Sequence, residues 1–138
     1  MYSRNTLMVQ LLKTVISSSA TSTVGGAAVD LADYFPVGKR EVKFVLATLL
    51  SSTSTGFTAN MTVQECDSTA TASFTNVLAY DGSTLTKTMP STDATHEVLE
   101  LHGMVTKRYL RILYNTGQAT TGITVTLNAM AFPHVRAM

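Results

Sequence analysis

The chain has 138 residues, enough for one hydrophobic core and too few for two ordinary domains, and its single cysteine, Cys66, excludes an intrachain disulfide or a Cys-rich zinc site. Hydrophobic residues make up 45% and charged residues 14%, against roughly 25% charged in average soluble domains, so the surface needs uncharged cover, which 23 Thr and 12 Ser supply while favouring strands. A formal net charge of +1, with no long run of either sign, offers no basic patch for a nucleic-acid groove.

Arg4 followed by the apolar stretch 6–16 has the outline of a signal peptide, yet Gln10 and Lys13 interrupt the stretch and it is too short to span a bilayer. It reads instead as a long first strand, with Leu7, Val9 and Leu11 on one face and Met8, Gln10 and Leu12 on the other. No later segment reads as a transmembrane helix, so no membrane partner is expected. Residues 17–26 form a Ser, Thr and Gly-rich loop, and 27–35 a short apolar piece, strand or helical turn, stopped by Pro36 and Gly38. Residues 41–50 are the clearest strand: Val42, Phe44 and Leu46 share one face, and Glu41 and Lys43 open the other. After a loop at 51–56, residues 58–67 alternate again, with Ala59, Met61 and Val63 opposite Thr58, Thr62 and Gln64.

A turn then leads to a short strand around Phe74 and Val77, Asp81-Gly82 signals another turn, and 83–89 reads as a further strand. Glu97, Leu99 and Leu101 alternate with His96, Val98 and Glu100 in a strand that Gly103 is expected to stop. In 107–115, Arg108, Leu110, Ile112 and Tyr114 oppose Lys107, Tyr109, Arg111 and Leu113. In 123–132, Ile123, Val125, Leu127 and Ala129 oppose Thr124, Thr126 and Asn128, the pattern of a half-buried antiparallel strand. Eight or nine such strands without a convincing amphipathic helix predict an all-β fold, an antiparallel β-sandwich or jelly roll of about eight strands. Residues 1–5 precede it as an N-terminal arm, and 6–138 form the single domain.

The sequence holds no G-x-S-x-G, P-loop, dinucleotide-binding glycine pattern or H-E-x-x-H, so no enzymatic activity, cofactor or metal is expected. His96 and His102 share a strand face, but six residues of strand span about 20 Å, too far for one metal. Glu65, Cys66 and Asp67 supply two carboxylates where a calcium cage takes six to eight oxygens, and read as a strand running into a solvated turn. Cys66 acts as a nucleophile only with a base beside it, and reads as a small, partly buried residue at a strand end. Lys107, Arg108 and Arg111 are the densest basic group, expected to pair with Glu97, Glu100 or a partner chain.

Four segments resemble small structural proteins of tailed-phage heads. Their recurrent pattern is a strand ending in Gln-Glu-Ser-Asp, a small polar turn, Phe-Thr-Asp-Val, a basic-aromatic strand and a final Thr-rich strand. Here these are Val63-Gln64-Glu65-Cys66-Asp67, Phe74-Thr75-Asn76-Val77, Lys107-Arg108-Tyr109-Leu110-Arg111-Ile112 and Gly122-Ile123-Thr124-Val125-Thr126-Leu127, with departures at Cys66 and Asn76. The resemblance implies a β-sandwich decoration, or cement, protein of the virion surface, made in the host cytoplasm. Such proteins bind between capsomers of the major capsid protein, commonly as homotrimers, and stabilise the shell. A neck, tail or head-fibre component is the alternative in the same context. A carbohydrate-binding module is the alternative from another class, although such modules present aromatic platforms and this chain has no Trp.

The arm carries Tyr2 and Arg4, residue types enriched at protein contacts, and these two join Lys107, Arg108 and Arg111 as the expected protein-interface residues. Deleting 1–5 is expected to leave the thermal midpoint of the free domain nearly unchanged and to weaken attachment to the shell. Equal affinity of the truncated and full chains for capsids would assign the arm no anchoring role.

Overall fold

Alternating apolar and polar residues become strand throughout the computed structural model, which describes residues 8–16, 22–33, 40–50, 60–69, 73–88, 96–115 and 124–133. The elements are β1 (Val9–Ile16), β2 (Thr23–Gly25), β3 (Val29–Asp30), a single 3-10 turn (Leu31–Asp33), β4 (Arg40–Leu50), β5 (Asn60–Cys66), β6 (Thr75–Asn76), β7 (Thr86–Thr88), β8 (His96–Val105), β9 (Tyr109–Asn115) and β10 (Val125–Pro133). There is no α-helix among the described residues. A four-stranded sheet has the order β1-β10-β4-β8, and a six-stranded sheet the order β2-β9-β5-β6, with β3 also on β9 and β7 also on β5. Every pairing is antiparallel.

Ten strands stand where about eight were expected because two rim strands are each split. Between β2 and β3 the ladder to β9 continues through Gly26 N–H, which donates to the Ile112 carbonyl at 2.7 Å. Between β6 and β7, Val77 N–H donates to the Val63 carbonyl, and the chain leaves the ladder as a hairpin closed by the Leu78–Thr84 bridge. Gly82 takes φ +84° at its tip, as the Asp81-Gly82 signal required. With each split rim counted once, the eight positions pair first with last, second with seventh, third with sixth and fourth with fifth, a doubled-over hairpin that is the jelly-roll order.

Val42, Phe44, Leu46, Leu110, Ile112, Val125 and Leu127, each on one alternating face of its strand, are all buried in one cluster between the sheets. On β1 the register shifts between Gln10 and Leu12, and this bulge lets the consecutive residues Leu11 and Leu12 both pack on the core. Two readings are corrected. The loop assigned to 17–26 contains β2, three residues held by the exposed edge of β9. Gly103 does not end its strand; β8 runs through it to Val105, opposite Val42. There the sheets come so close that a Cβ on Gly103 would collide with Leu85 Cδ1 and lie 2.9 Å from Val77 Cγ1. Glycine is required for that contact rather than for a turn.

Replacing Phe44 with Ala is expected to cost about 3 to 5 kcal/mol in urea unfolding, and Gly103→Ala about 1 to 3 kcal/mol through overpacking. Losses below about half a kcal/mol at both sites would show that the inward faces are assigned the wrong way round.

Candidate interaction surfaces

Tyr2 and Arg4 lie outside the described residues, as does His134. The three basic candidates do not form one patch, because each side chain has a different neighbour. Arg108 forks onto Asp30, with Nε and Nη2 donating to Oδ1 and Oδ2 at 2.8 and 2.7 Å, and its guanidinium lies 5.2 Å from the Tyr109 ring. Lys107 Nζ reaches Thr75 Oγ1 at 3.3 Å. Arg111 is buried; its Nε donates to Gln64 Oε1 at 2.9 Å and its guanidinium stacks 4.1 Å from the Phe74 ring. The expected pairing of this group with Glu97 or Glu100 is not what forms: Glu97 takes the buried Lys87 across the gap between the two sheets, and Glu100 lies 3.7 Å from His102. Burial holds the Lys87 ammonium below the usual lysine value.

Residues 65–67 run from strand into turn, as the sequence implied: β5 ends at Cys66 and the bend begins at Asp67. Asp67 is exposed, but Glu65 and Cys66 are buried. Glu65 accepts hydrogen bonds from Thr106 N–H at 2.9 Å, Thr106 Oγ1 at 2.9 Å and Lys107 N–H at 3.3 Å. It therefore holds the turn between β8 and β9 and leaves no acceptor array open to a cation. Cys66 Sγ accepts from Ser68 N–H at 3.4 Å, and no histidine is among its bonded neighbours. No group of three potential metal ligands occurs among the described residues, and His96 and His102 point outward from one face of β8.

That outer face, on the four-stranded sheet, is the broadest candidate surface. Register aligns Val15, Thr126, Leu49 and His96 in one row across β1, β10, β4 and β8, and Lys13, Asn128, Ala47 and Val98 in the next. Val15, Leu49 and Val98 are 61%, 53% and 63% exposed, so large apolar side chains stand in water on β1, β4 and β8, with Thr126 of β10 between the first two. Charge gathers at the opposite end of the same face. There Lys43 Nζ sits 5.0 Å over the Phe132 ring, Glu41 lies 3.3 Å from His102, and Tyr80 donates its hydroxyl proton to Glu41 at 2.9 Å. The hydrogen bond to Glu41 raises the Tyr80 phenol above its usual value. Sequence reasoning assigned none of the three exposed apolar residues to an interface. The available signal was that 45–50 carries apolar side chains on both faces, Val45, Ala47 and Leu49 as well as Leu46 and Leu50.

No protein-family model matches this chain, and no curated protein matches it.

Asp30 and Arg108 give a pH dependence. The Arg108 hydrogen bonds hold the Asp30 carboxyl below its usual 3.8, so the pair adds stability above that value and loses it as pH falls through the lower folded-state pKa. Asp30→Asn is expected to lower the thermal midpoint at neutral pH, with the deficit closing in acid. An equal deficit at about pH 2 and pH 7 would show that the carboxylate charge contributes nothing.

Proposed function

We propose that this chain is a non-enzymatic structural protein of a tailed-phage virion, a decoration protein that sits on the capsid surface, binds between capsomers of the major capsid protein and stabilises the shell. It self-associates, as a trimer, when it does so. The observation that carries this reading is the outer face of the four-stranded sheet, where Val15, Leu49 and Val98 stand exposed in neighbouring rows beside Thr126 and Ala47. Clustered apolar side chains on a soluble domain mark a surface that a folded partner covers. Further support comes from the jelly-roll strand order, which viral capsid domains use and lectins share. Because that fold alone assigns no function, the phage context rests on the resemblance of residues 63–67, 74–77, 107–112 and 122–127.

The test is co-sedimentation of the purified chain with empty shells assembled from the major capsid protein of the same genome. Saturable binding, a raised melting temperature of the shell and a trimer in analytical ultracentrifugation are expected. Burying one Leu or Val contributes about 1.5 to 3 kcal/mol, so Leu49→Asp and Val98→Asp should each weaken shell binding tenfold or more. The fold of the free domain should be unaffected, since both positions are solvent-exposed. Binding to neck, tail or fibre particles but not to shells, or to glycans alone, would overturn the reading.

A further inference from the structure

A buried guanidinium on the other sheet has one of its five N–H donors bonded among the described residues. Arg111 of β9 is 7% exposed, on the outer face of the six-stranded sheet. Enclosing a charge that carries five N–H donors is costly unless those donors and the charge are answered. Nε–H is answered by Gln64 Oε1. Nη1 and Nη2 have no hydrogen-bond partner among the described residues. They are not sealed from water either: the enclosed side-chain atoms without a partner among the described residues are Thr48 Oγ1 and Asn60 Oδ1.

No carboxylate among the described residues pairs with the charge. Asp30 takes Arg108, Glu65 takes the turn at Thr106 and Lys107, Glu97 takes Lys87, Asp81 takes Ser83, and Glu41 and Glu100 flank His102. None of these carboxylates is bonded to Arg111.

The fork is nonetheless held in one pose. Register sets Arg111, Gln64 and Asn76 in a row across β9, β5 and β6, and Gln64 Nε2–H donates to Asn76 Oδ1 at 3.1 Å, which fixes the amide whose oxygen receives Nε–H. Phe74 lies against the guanidinium face. On the remaining flank stands Gly25 of β2, where a Cβ would collide with Nη1 and lie 2.8 Å from Cζ. The absence of a side chain there leaves room for the two terminal nitrogens.

We propose that the Arg111 fork is a docking site for a carboxylate, received end-on by Nη1 and Nη2 from an Asp or Glu side chain of a partner protein. A planar carboxylate matches two parallel N–H donors. A nucleic-acid backbone would need several cations along one track, whereas Arg108 is engaged by Asp30 and Lys107 reaches Thr75. The site lies on the sheet opposite the apolar face, so its failure would leave the shell-binding reading standing.

The Nε–Hε signal of Arg111 in nitrogen-15 spectra, identified by its loss in Arg111→Lys, reports on occupancy. Titration with sodium acetate against sodium chloride at equal ionic strength should move that signal saturably, with half-saturation on the order of tens of millimolar. An acetyl-Gly-Gly-Glu-Gly-Gly-amide peptide should reproduce the shift, and its Gln counterpart should not. Gly25→Ala keeps every charge and displaces the fork, and should weaken acetate binding at least fivefold; it also gives the answer if Arg111→Lys fails to fold. A signal indifferent to acetate, unchanged affinity in Gly25→Ala, or tighter binding of inorganic phosphate than of acetate would overturn the assignment.

Discussion

The chain passes from the four-stranded to the six-stranded sheet between Val105 and Tyr109, in three residues, and the Glu65 carboxylate makes so short a crossing possible. A turn this tight leaves backbone N–H groups that neither sheet can pair, and buried donors without acceptors are costly. Glu65 comes from β5, on the inward side shared with Met61 and Val63, and takes two of those N–H groups and the Thr106 hydroxyl. In return, three donors stabilise a carboxylate that burial alone would disfavour. With the turn held, β9 enters its sheet in one register, placing Leu110 and Ile112 in the core and Arg111 opposite Gln64. Both halves of the split rim, β2 and β3, then assemble on the far edge of β9.

Residues 63–67, 74–77 and 107–112 meet in this region. Gln64 orients Arg111, Glu65 holds the turn that includes Lys107, Phe74 stacks on Arg111, and Asn76 fixes Gln64. These residues thus have a scaffold role. Cys66 and Asn76 fit the same geometry. Cys66 accepts the Ser68 N–H with sulfur where Ser would use oxygen. Asn76 accepts from Gln64 as Asp would, but without a charge, so the row that ends at Arg111 contains no anion.

Much of this architecture was legible because β-strand periodicity is simple. Residues 41–50 and 123–132 alternate strongly, and β4 and β10 formed there with Val42, Phe44, Leu46, Val125, Leu127 and Ala129 inward. What alternation cannot carry is which neighbour covers a face. It separates Leu46 from Leu49 but does not say that β10, β4 and β8 turn Leu49 to solvent. Glycine carries the same ambiguity, since Gly103 looks like a stop until the sheet opposite it is known to be within methyl contact. Thr23–Gly25 has no apolar pattern at all and is a strand only because β9 has an edge to offer. The burial of Glu65 was likewise invisible: its three donors lie 41 and 42 residues away.

The way charge is used decides what sort of recognition the surface permits. Asp30, Glu41, Glu65, Asp81, Glu97 and Glu100 all have partners within the chain, and the net charge is +1. Such a molecule projects little field beyond a Debye length, so it does not steer partners from a distance. Discrimination then falls to groups that act at contact. Val15, Leu49 and Val98 reward a partner of complementary shape by leaving water. Arg111, held at Nε and open at its two terminal nitrogens, rewards one oxyanion placed within hydrogen-bond reach. The two surfaces occupy opposite sheets of the sandwich, so one copy can engage two different neighbours at once. Under the proposed function, that separation lets one copy link subunits of a shell rather than cap a single site.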